Sequence, residues 1–554
     1  MAYNIKLKDG QKCFNLITEP WIVTLSKSRE IKIMGLNDVF KQAHELRCLQ
    51  GEARVQDFSI LRLLVATCYT VMENYTVDGE YAPLHEICDT EEATQAALSR
   101  WQSYWAKKKF GKVFTDYLAQ RNDRFWLFHP TRPFYQVSPL VLYTDNLDEY
   151  GTYFQAAKLI GTISQSSNKR RLFSSRSKEA RSCIPFDEAA RWLVFQQAVS
   201  DNALKKKGPN KSQPSVGVGW AAQTSLLELE GANLFETIML NSVMLRDGEE
   251  PWGVPACPVW DAEEVDTRHR VKIPVPQDPA ALLTNQCRRI ILEPEEDKVI
   301  GFWAQGGTFF DSTNAFSEQM TAWSSKKKNG NIVFYPKKIQ SNQYFWENFC
   351  HIFDTGDGKT SENFHKSGLV GWLNTLEETE IISDKVVGIH CHGVSYGPMS
   401  SMITDMYDER FYFPADLLFD DAETADVIGD ELMKCEDLSK AIFFYVKNAL
   451  CAAGFDPQKK IDDPTQDIFK RKIEDAFEKW LLTEEKITDA SVERWREAVR
   501  QLVYKSMDAI EAKLAPAVYA GHYNKQKDTF YTLADAQNSL FYQLHKAYPE
   551  VNYE

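Results

Sequence analysis

From about Asp421 to the end of the chain, apolar residues return every third or fourth position in four separate runs, and nothing else constrains the fold as tightly. The runs cover roughly 421–453, 464–482, 489–514 and 529–547. They are broken by Gly454, Pro457 and Pro464, then by Thr488, then by Pro516 and Gly521. In the third run Val492, Trp495, Val499, Val503, Met507, Ile510 and Leu514 form one stripe. Four amphipathic helices with short connections predict a C-terminal four-helix bundle over 421–554.

The first 415 residues read differently. Short apolar runs alternate with Gly, Pro, Asn and charged turns, as in a mixed α+β domain with long loops. Asp57 is placed to cap a helix carrying Ile60, Leu61, Leu64, Val65 and Cys68. Arg288–Pro294 and Lys298–Ala304 read as strands joined by an acidic turn. A chain of 554 residues is too long for one ordinary core, so two domains are expected, 1–415 and 421–554. The polar start of the sequence does not resemble a signal peptide, and no apolar run is expected to span a bilayer. Eleven cysteines, none in a CxxC pair, fit reduced thiols in a cytoplasm.

The formal charge is −14, which taken alone disfavours a polyanionic partner. Its distribution reverses that inference. Between Gln165 and Trp220 eleven Lys and Arg face four Asp and Glu, a local +7 that leaves about −21 for the rest. The positive charge falls in two clusters. The first holds Lys169, Arg170, Arg171, Arg176, Lys178 and Arg181, with Asn168 and Phe173 among them. The second holds Lys205, Lys206, Lys207 and Lys211, interleaved with Gly208, Gly217 and Gly219. An amphipathic helix over Phe186–Asp201 is predicted between them, so the two loops would reach separate phosphates of a duplex. Phe173 is suited to stacking, and the glycines allow the main chain to lie close to a groove. A third basic run, Lys326–Lys328, follows Met320–Trp323.

Three patterns suggest catalysis or metal binding, and none is complete. Gly393–Gly397 spells GxSxG around Ser395, but the acid and base it would need, for instance Asp420 and His522, fall in the helical region. His390 and His392 would share one face of a strand, yet the sequence offers no well-spaced third ligand, so they read as a structural pair and no metal is expected. Gly356–Thr360 ends like a P-loop but has Phe353 where the leading glycine belongs. No catalytic residue and no cofactor is expected. A serine hydrolase using Ser395 is the alternative reading.

Several segments, taken in order, resemble the CasA family, the large subunit of the type I-E CRISPR surveillance complex Cascade. They are Phe14–Thr24, Ile60–Tyr69, Arg132–Gln136, Ser166–Phe173, Gly217–Trp220, Cys257–Asp261, Leu282–Arg289 and Met320–Trp323. The resemblance implies a non-enzymatic subunit that works with other Cascade proteins and the CRISPR guide RNA. It would read a protospacer-adjacent motif in double-stranded DNA, help open the duplex and recruit a helicase-nuclease, away from any membrane. It implies that Asn168–Phe173 belong to the first DNA-contacting loop and Lys205–Gly219 to the glycine loop. The family's wedge, often carrying a Gln, corresponds to His392–Ser400, where Tyr396, Pro398 and Met399 would separate stacked bases instead. A purely architectural subunit is the remaining alternative.

Overall fold

A computed structural model of the chain describes residues 12–138, 152–163, 176, 179–202, 217–264, 268–340, 343–353, 365–382, 386–415 and 422–549, apart from 457, 460–461, 485, 515 and 526–527. The described residues mix helices with small, mainly antiparallel sheets. They divide into two compact units: 1–341 with 365–381 and 387–410, and 342–364 with 382–386 and 411–554.

Near its start the first unit has strands β1 (Ile22–Ser26), β2 (Ile31–Met34) and β3 (Leu46–Leu49), ordered β2-β1-β3 and antiparallel. Helix α1 (Arg54–Asn74) follows and is buried on all sides, from Val55 to Glu73. By length and composition α1 is apolar enough to cross a membrane, contrary to the sequence expectation, but its apolar stretch is wholly buried in the chain's own core. The sequence expectation for its start also needs correction. The N-cap is Ala53, while Asp57 lies in the first turn and accepts from the Gly51 amide at 2.7 Å. Inside the core Arg62 of α1 forms a two-pronged pair with Glu318, both contacts 3.0 Å, and the Trp220 indole donates to Glu318 at 2.7 Å. A buried charge is tolerable only when paired and hydrogen-bonded in this way.

Strand β4 (Thr152–Gln155) runs into the short helix α2 (Ala156–Leu159). Helix α3 (Phe186–Val199) comes next, then β5 (Leu227–Glu230). The sequence-predicted hairpin is present as β6 (Arg288–Glu295) and β7 (Lys298–Gly306), with Ile290 opposite Ala304, and β4 extends it on the far side of β7. Strands β8 (Trp323–Lys328) and β9 (Asn331–Pro336) form a second hairpin turned by Asn329 and Gly330, both at positive φ. Its outer end exposes Lys326–Lys328. Finally β10 (Val386–Tyr396) and β11 (Ile403–Pro414) join β5 in a sheet ordered β11-β10-β5.

The second unit contains helices α4 (Ala422–Ala452), α5 (Thr465–Thr483), α6 (Asp489–Glu511) and α7 (Leu533–Ala547). Thr488 caps α6 with a reciprocal Ser491 bond. The stripe read in the sequence is buried from Val492 to Ile510, and Leu514 falls beyond the helix end. Trp495 stacks on Trp480 of α5 with centroids 5.0 Å apart, and Arg496 reaches Glu431 of α4 at 2.6 Å.

Candidate functional site

Helix α3 organises the region in which the sequence concentrates its positive charge. It is not the amphipathic surface helix predicted. Nearly every residue from Phe186 to Val199 is buried, including Glu188, Arg191, Gln196 and Gln197. Each polar group has a partner: Arg191 reaches Glu52 at 2.7 Å and Asp187 at 3.0 Å, and Gln196 donates to the Leu159 carbonyl at 2.9 Å. The helix therefore presents no open face to a ligand. What it supplies is a rigid axle about 21 Å long, at ~1.5 Å per residue.

Four segments converge on the C-terminal end of this axle. Lys158 of α2, eleven residues before Lys169, is ion-paired to Asp201 with both side chains buried. Asn202 and Gly217 bracket the second basic stretch, and the Asn202 Oδ1 accepts from the Gly217 amide at 3.1 Å. The Asn202 amide donates to the Ser400 carbonyl at 2.7 Å and its Nδ2 to the Met399 carbonyl at 3.4 Å, at the tip of the β10–β11 hairpin. The Tyr396 hydroxyl donates to the Val199 carbonyl at 2.5 Å.

Arg288, at the start of β6, locks this junction from below. It is 1% exposed. Its Nε donates to Ser200 Oγ at 3.0 Å, its Nη1 to the Cys287 carbonyl at 3.0 Å, and its Nη2 to the carbonyls of Asp201 at 2.6 Å and Gly217 at 2.9 Å. Sequence reasoning missed this residue. The available signal was a pair of arginines, Arg288 and Arg289, opening a strand that continues with three apolar residues.

The hairpin tip is shaped by its backbone. Met399 and Ser400 have φ of 57° and 50°, consecutive left-handed conformations that side chains rarely adopt. Pro398 and Met399 are exposed, Met399 to 76% of its surface. Tyr396 differs from its expected role. Its ring and hydroxyl turn inward, burial pushes the phenol pKa up, and the Lys338 ammonium lies 4.8 Å from the ring centroid. The apolar tip is therefore Pro398 and Met399 alone. Burial likewise holds the Lys338 pKa below its ordinary value.

Of the other expected site residues, Asn168, Lys169, Arg170, Arg171, Phe173, Lys178, Lys205, Lys206, Lys207, Gly208 and Lys211 lie outside the described residues. Arg176 is described, and it grips Glu188 in the first turn of α3 at 2.5 and 3.0 Å, so its charge is already committed. Gly217 has φ +94° and open space around its missing side chain. Gly219 is required for packing instead: a Cβ there would meet the Ala198 carbonyl oxygen at 2.3 Å.

The patterns that suggested other chemistry resolve differently. Ser395 lies within the extended strand β10, not on the sharp strand-to-helix turn of a nucleophile elbow. Its supposed partner Asp420 and the P-loop-like Gly356–Thr360 lie outside the described residues, and His522 belongs to the second unit.

The pattern of the family described as CRISPR-associated protein Cse1 matches residues 15–506. The chain belongs to the Cse1 family. It is 25% identical over 508 residues to the CRISPR-associated protein CasA/Cse1 of Thermus thermophilus, covering 88% of this chain and 90% of that one. The fold of this family member is similar to the crystal structure of Thermobifida fusca Cse1, with a TM-score of 0.77 at 22% identity over 98% and 99% of the two chains. A chain of a CRISPR RNA-guided surveillance complex has the same fold, with a TM-score of 0.63 at 14% identity over 97% and 100%.

Proposed function

We propose that this Cse1-family chain is the large subunit of an RNA-guided CRISPR surveillance complex and that it reads the protospacer-adjacent motif of double-stranded target DNA. The observation that carries this reading is the convergence at residues 199–202. There the mouth of the second, lysine-rich stretch, the helix α2 that precedes the first, and an exposed apolar hairpin tip are tied to one buried, hydrogen-bonded base. Lysines on such stretches neutralise phosphates and set register, without reading sequence. A rigid apolar tip beside them is suited to wedge between base steps, paying the cost of unstacking with the contacts that an opened duplex allows. Minor-groove reading is degenerate, so several related motifs would be accepted, and guide pairing would supply the remaining specificity. In this reading the subunit is not an enzyme, works in the cytoplasm in antiviral defence, and presents a surface to a helicase-nuclease. The four C-terminal helices act as a four-helix bundle that docks onto the other subunits.

The test is duplex binding by the guide-RNA-loaded partner complex, with and without this chain, against targets with a randomised motif beside a fixed matched sequence. The chain should both tighten binding and enrich a small set of motifs. Exchanging Lys205, Lys206, Lys207 and Lys211 for Ala should lower the salt slope by about 3–4, at ~0.9 per phosphate contact. Exchanging Met399 for Ser should reduce duplex opening, followed by a fluorescent base analogue, more than it reduces binding. Equal tightening of every target would make the chain an architectural subunit, and no effect on binding would overturn the proposal.

A further inference from the structure

Strand β10 carries His390 and His392 two residues apart, so both imidazoles lie on one face. Two neighbouring strands supply acids to that face. From β5, Glu230 Oε2 lies 2.5 Å from His390 Nε2, and Glu228 Oε2 lies 2.9 Å from His392 Nε2. From β11, Asp408 Oδ1 lies 3.5 Å from His390 Nδ1 and 3.1 Å from His392 Nδ1. The other oxygen of Asp408 is held by Arg410 Nε at 3.1 Å. His392 is 2% exposed and His390 6%.

The outer carboxylates decide which nitrogen of each ring carries a proton. Glutamates at both Nε2 atoms favour Nε2–H and turn both Nδ1 atoms toward Asp408. Asp408 Oδ1, a lone-pair atom, faces them. His392 Nδ1 and Asp408 Oδ1 are buried and make no aligned hydrogen bond, although 3.1 Å separates them. Two such atoms at that distance in a buried site are bridged by a cation or by protons on the imidazoles, whose pKa values burial lowers but the carboxylates of Asp408, Glu228 and Glu230 raise further, His390 to about 9.

We propose that His390 Nδ1, His392 Nδ1 and Asp408 Oδ1 bind one divalent transition-metal ion. The distances fit. Metal–nitrogen and metal–oxygen bonds of about 2.0–2.2 Å at tetrahedral angles separate neighbouring donors by about 3.3–3.5 Å. The two nitrogen–oxygen separations, 3.1 and 3.5 Å, bracket that range, and the three donor atoms lie within 4.8 Å of one another. The surroundings carry both signs, Glu228, Glu230, Asp408 and Asp57 against Arg410, Arg54 and Arg47. Glutamates at the far nitrogens are the usual outer partners of metal-bound histidine. A cavity of about 100 Å³ is lined by both histidines, both glutamates and Arg410, while Asp408 lines a separate cavity with Glu52–Val55 and Ile403–Tyr407. Two imidazoles and one carboxylate suit zinc, cobalt or ferrous iron better than magnesium or calcium. The ion would fasten β5, β10 and β11 together below the Pro398–Met399 tip, so its role is to stiffen the hairpin.

The test uses the full-length chain, stripped with a chelator and titrated with Zn(II) and Co(II). We expect one equivalent of Zn(II) by calorimetry and visible d–d bands of low-coordinate Co(II). His392→Gln and the near-isosteric Asp408→Asn should abolish this stoichiometric binding, and Glu228→Gln should weaken it about 10–100-fold. Circular dichroism identifies any variant that has not folded. Zn(II) should also slow hydrogen exchange at residues 397–402 in the wild type and leave it unchanged in Asp408→Asn. The proposal is overturned if folded wild type takes up no stoichiometric metal and nitrogen NMR finds both rings doubly protonated, because protons on the imidazoles then bridge them to Asp408. Equal Zn(II) binding by Asp408→Asn and wild type would also overturn it.

Discussion

Arg288→Met is the perturbation that bears most directly on the convergence at the end of α3. Methionine fills much of the same volume but donates nothing. The guanidinium has three backbone carbonyls and the Ser200 hydroxyl as acceptors, and its charge also lies 4.9 Å from the Phe309 ring centroid. The Ser200 hydroxyl can still donate to the Asp201 carbonyl at 3.3 Å, so the main losses are the Nη2 bonds to Asp201 and Gly217. Hydrogen bonds from a charged donor contribute about 1.5–3 kcal/mol each, or roughly 3–6 kcal/mol for the two. Rehydration of a buried cation no longer drives unfolding in the variant, and this relief offsets part of the loss. A net destabilisation of about 2–4 kcal/mol is expected. Urea unfolding of the isolated chain measures it, and hydrogen exchange over 199–202 and 217–220 locates it. Arg288→Lys keeps the charge but cannot span these acceptors, so it should recover less than half of the loss. A change under about 1 kcal/mol with unaltered exchange at both segments would refute the view that Arg288 locks the junction.

Two further outcomes follow from other parts of the first unit. Burial raises the Asp247 carboxyl pKa to about 6, against opposing pulls from the Gln319 amide, Arg246 and Lys366. The folded state therefore holds this proton more tightly than the unfolded chain, and stability should fall as pH rises from about 4 to 6. Asp247→Asn keeps an acceptor for Gln319 and tolerates the φ of 54°, so it should stabilise the protein by up to about 3 kcal/mol at pH 7 and by nothing near pH 4. Thermal melts across that range check it, and a pH-independent gain would contradict it. Gly219→Ala places a methyl 2.3 Å from the Ala198 carbonyl oxygen and should cost about 1–3 kcal/mol while loosening the mouth of the second basic stretch. Gly217→Ala meets no atoms, so its cost should be backbone strain alone, about 1–2 kcal/mol; equal exchange rates over 199–202 in the two variants would contradict the packing role of Gly219.

Legibility in the sequence followed the range of the interactions. The α6 stripe and the β6–β7 hairpin were readable because periodicity and turn residues act within a dozen positions. The packing of α3 was not. Its Glu188, Arg191 and Gln197 suggest an exposed face, and only partners far away in the chain, such as Glu52 at Arg191, make burial tolerable. The same holds for Asp57, whose type and place suggested a helix cap, while its carboxylate serves the turn before the helix. His390 and His392 were visible as a pair, but Asp408 is sixteen positions further on and joins them only through the hairpin. Tyr396 could not be told from Met399 as a wedge by residue type. What separates them is a hydroxyl that finds a buried carbonyl, against a thioether that has no such need.

The burial of α3 has a consequence for how function and stability divide between residues. A helix with every polar group already paired offers no donor to a phosphate, so any DNA contact in this region falls to the segments tied to its ends. Substitutions within α3, such as at Arg191 or Trp192, should act on stability and reach binding only through the fraction folded. Substitution of Met399, whose side chain is exposed, should act on binding at unchanged stability. Asn202 stands between the two classes. Its side chain joins Gly217 to the hairpin tip at 3.1 and 3.4 Å, neither bond is charged, and together they contribute about 1–2 kcal/mol. Losing them removes the side-chain link between Gly217 and the tip, while the Asn202 amide still holds the Ser400 carbonyl at 2.7 Å. Asn202→Ala should therefore weaken, not abolish, the coupling on which the proposed reading makes phosphate contact and base separation one registered event.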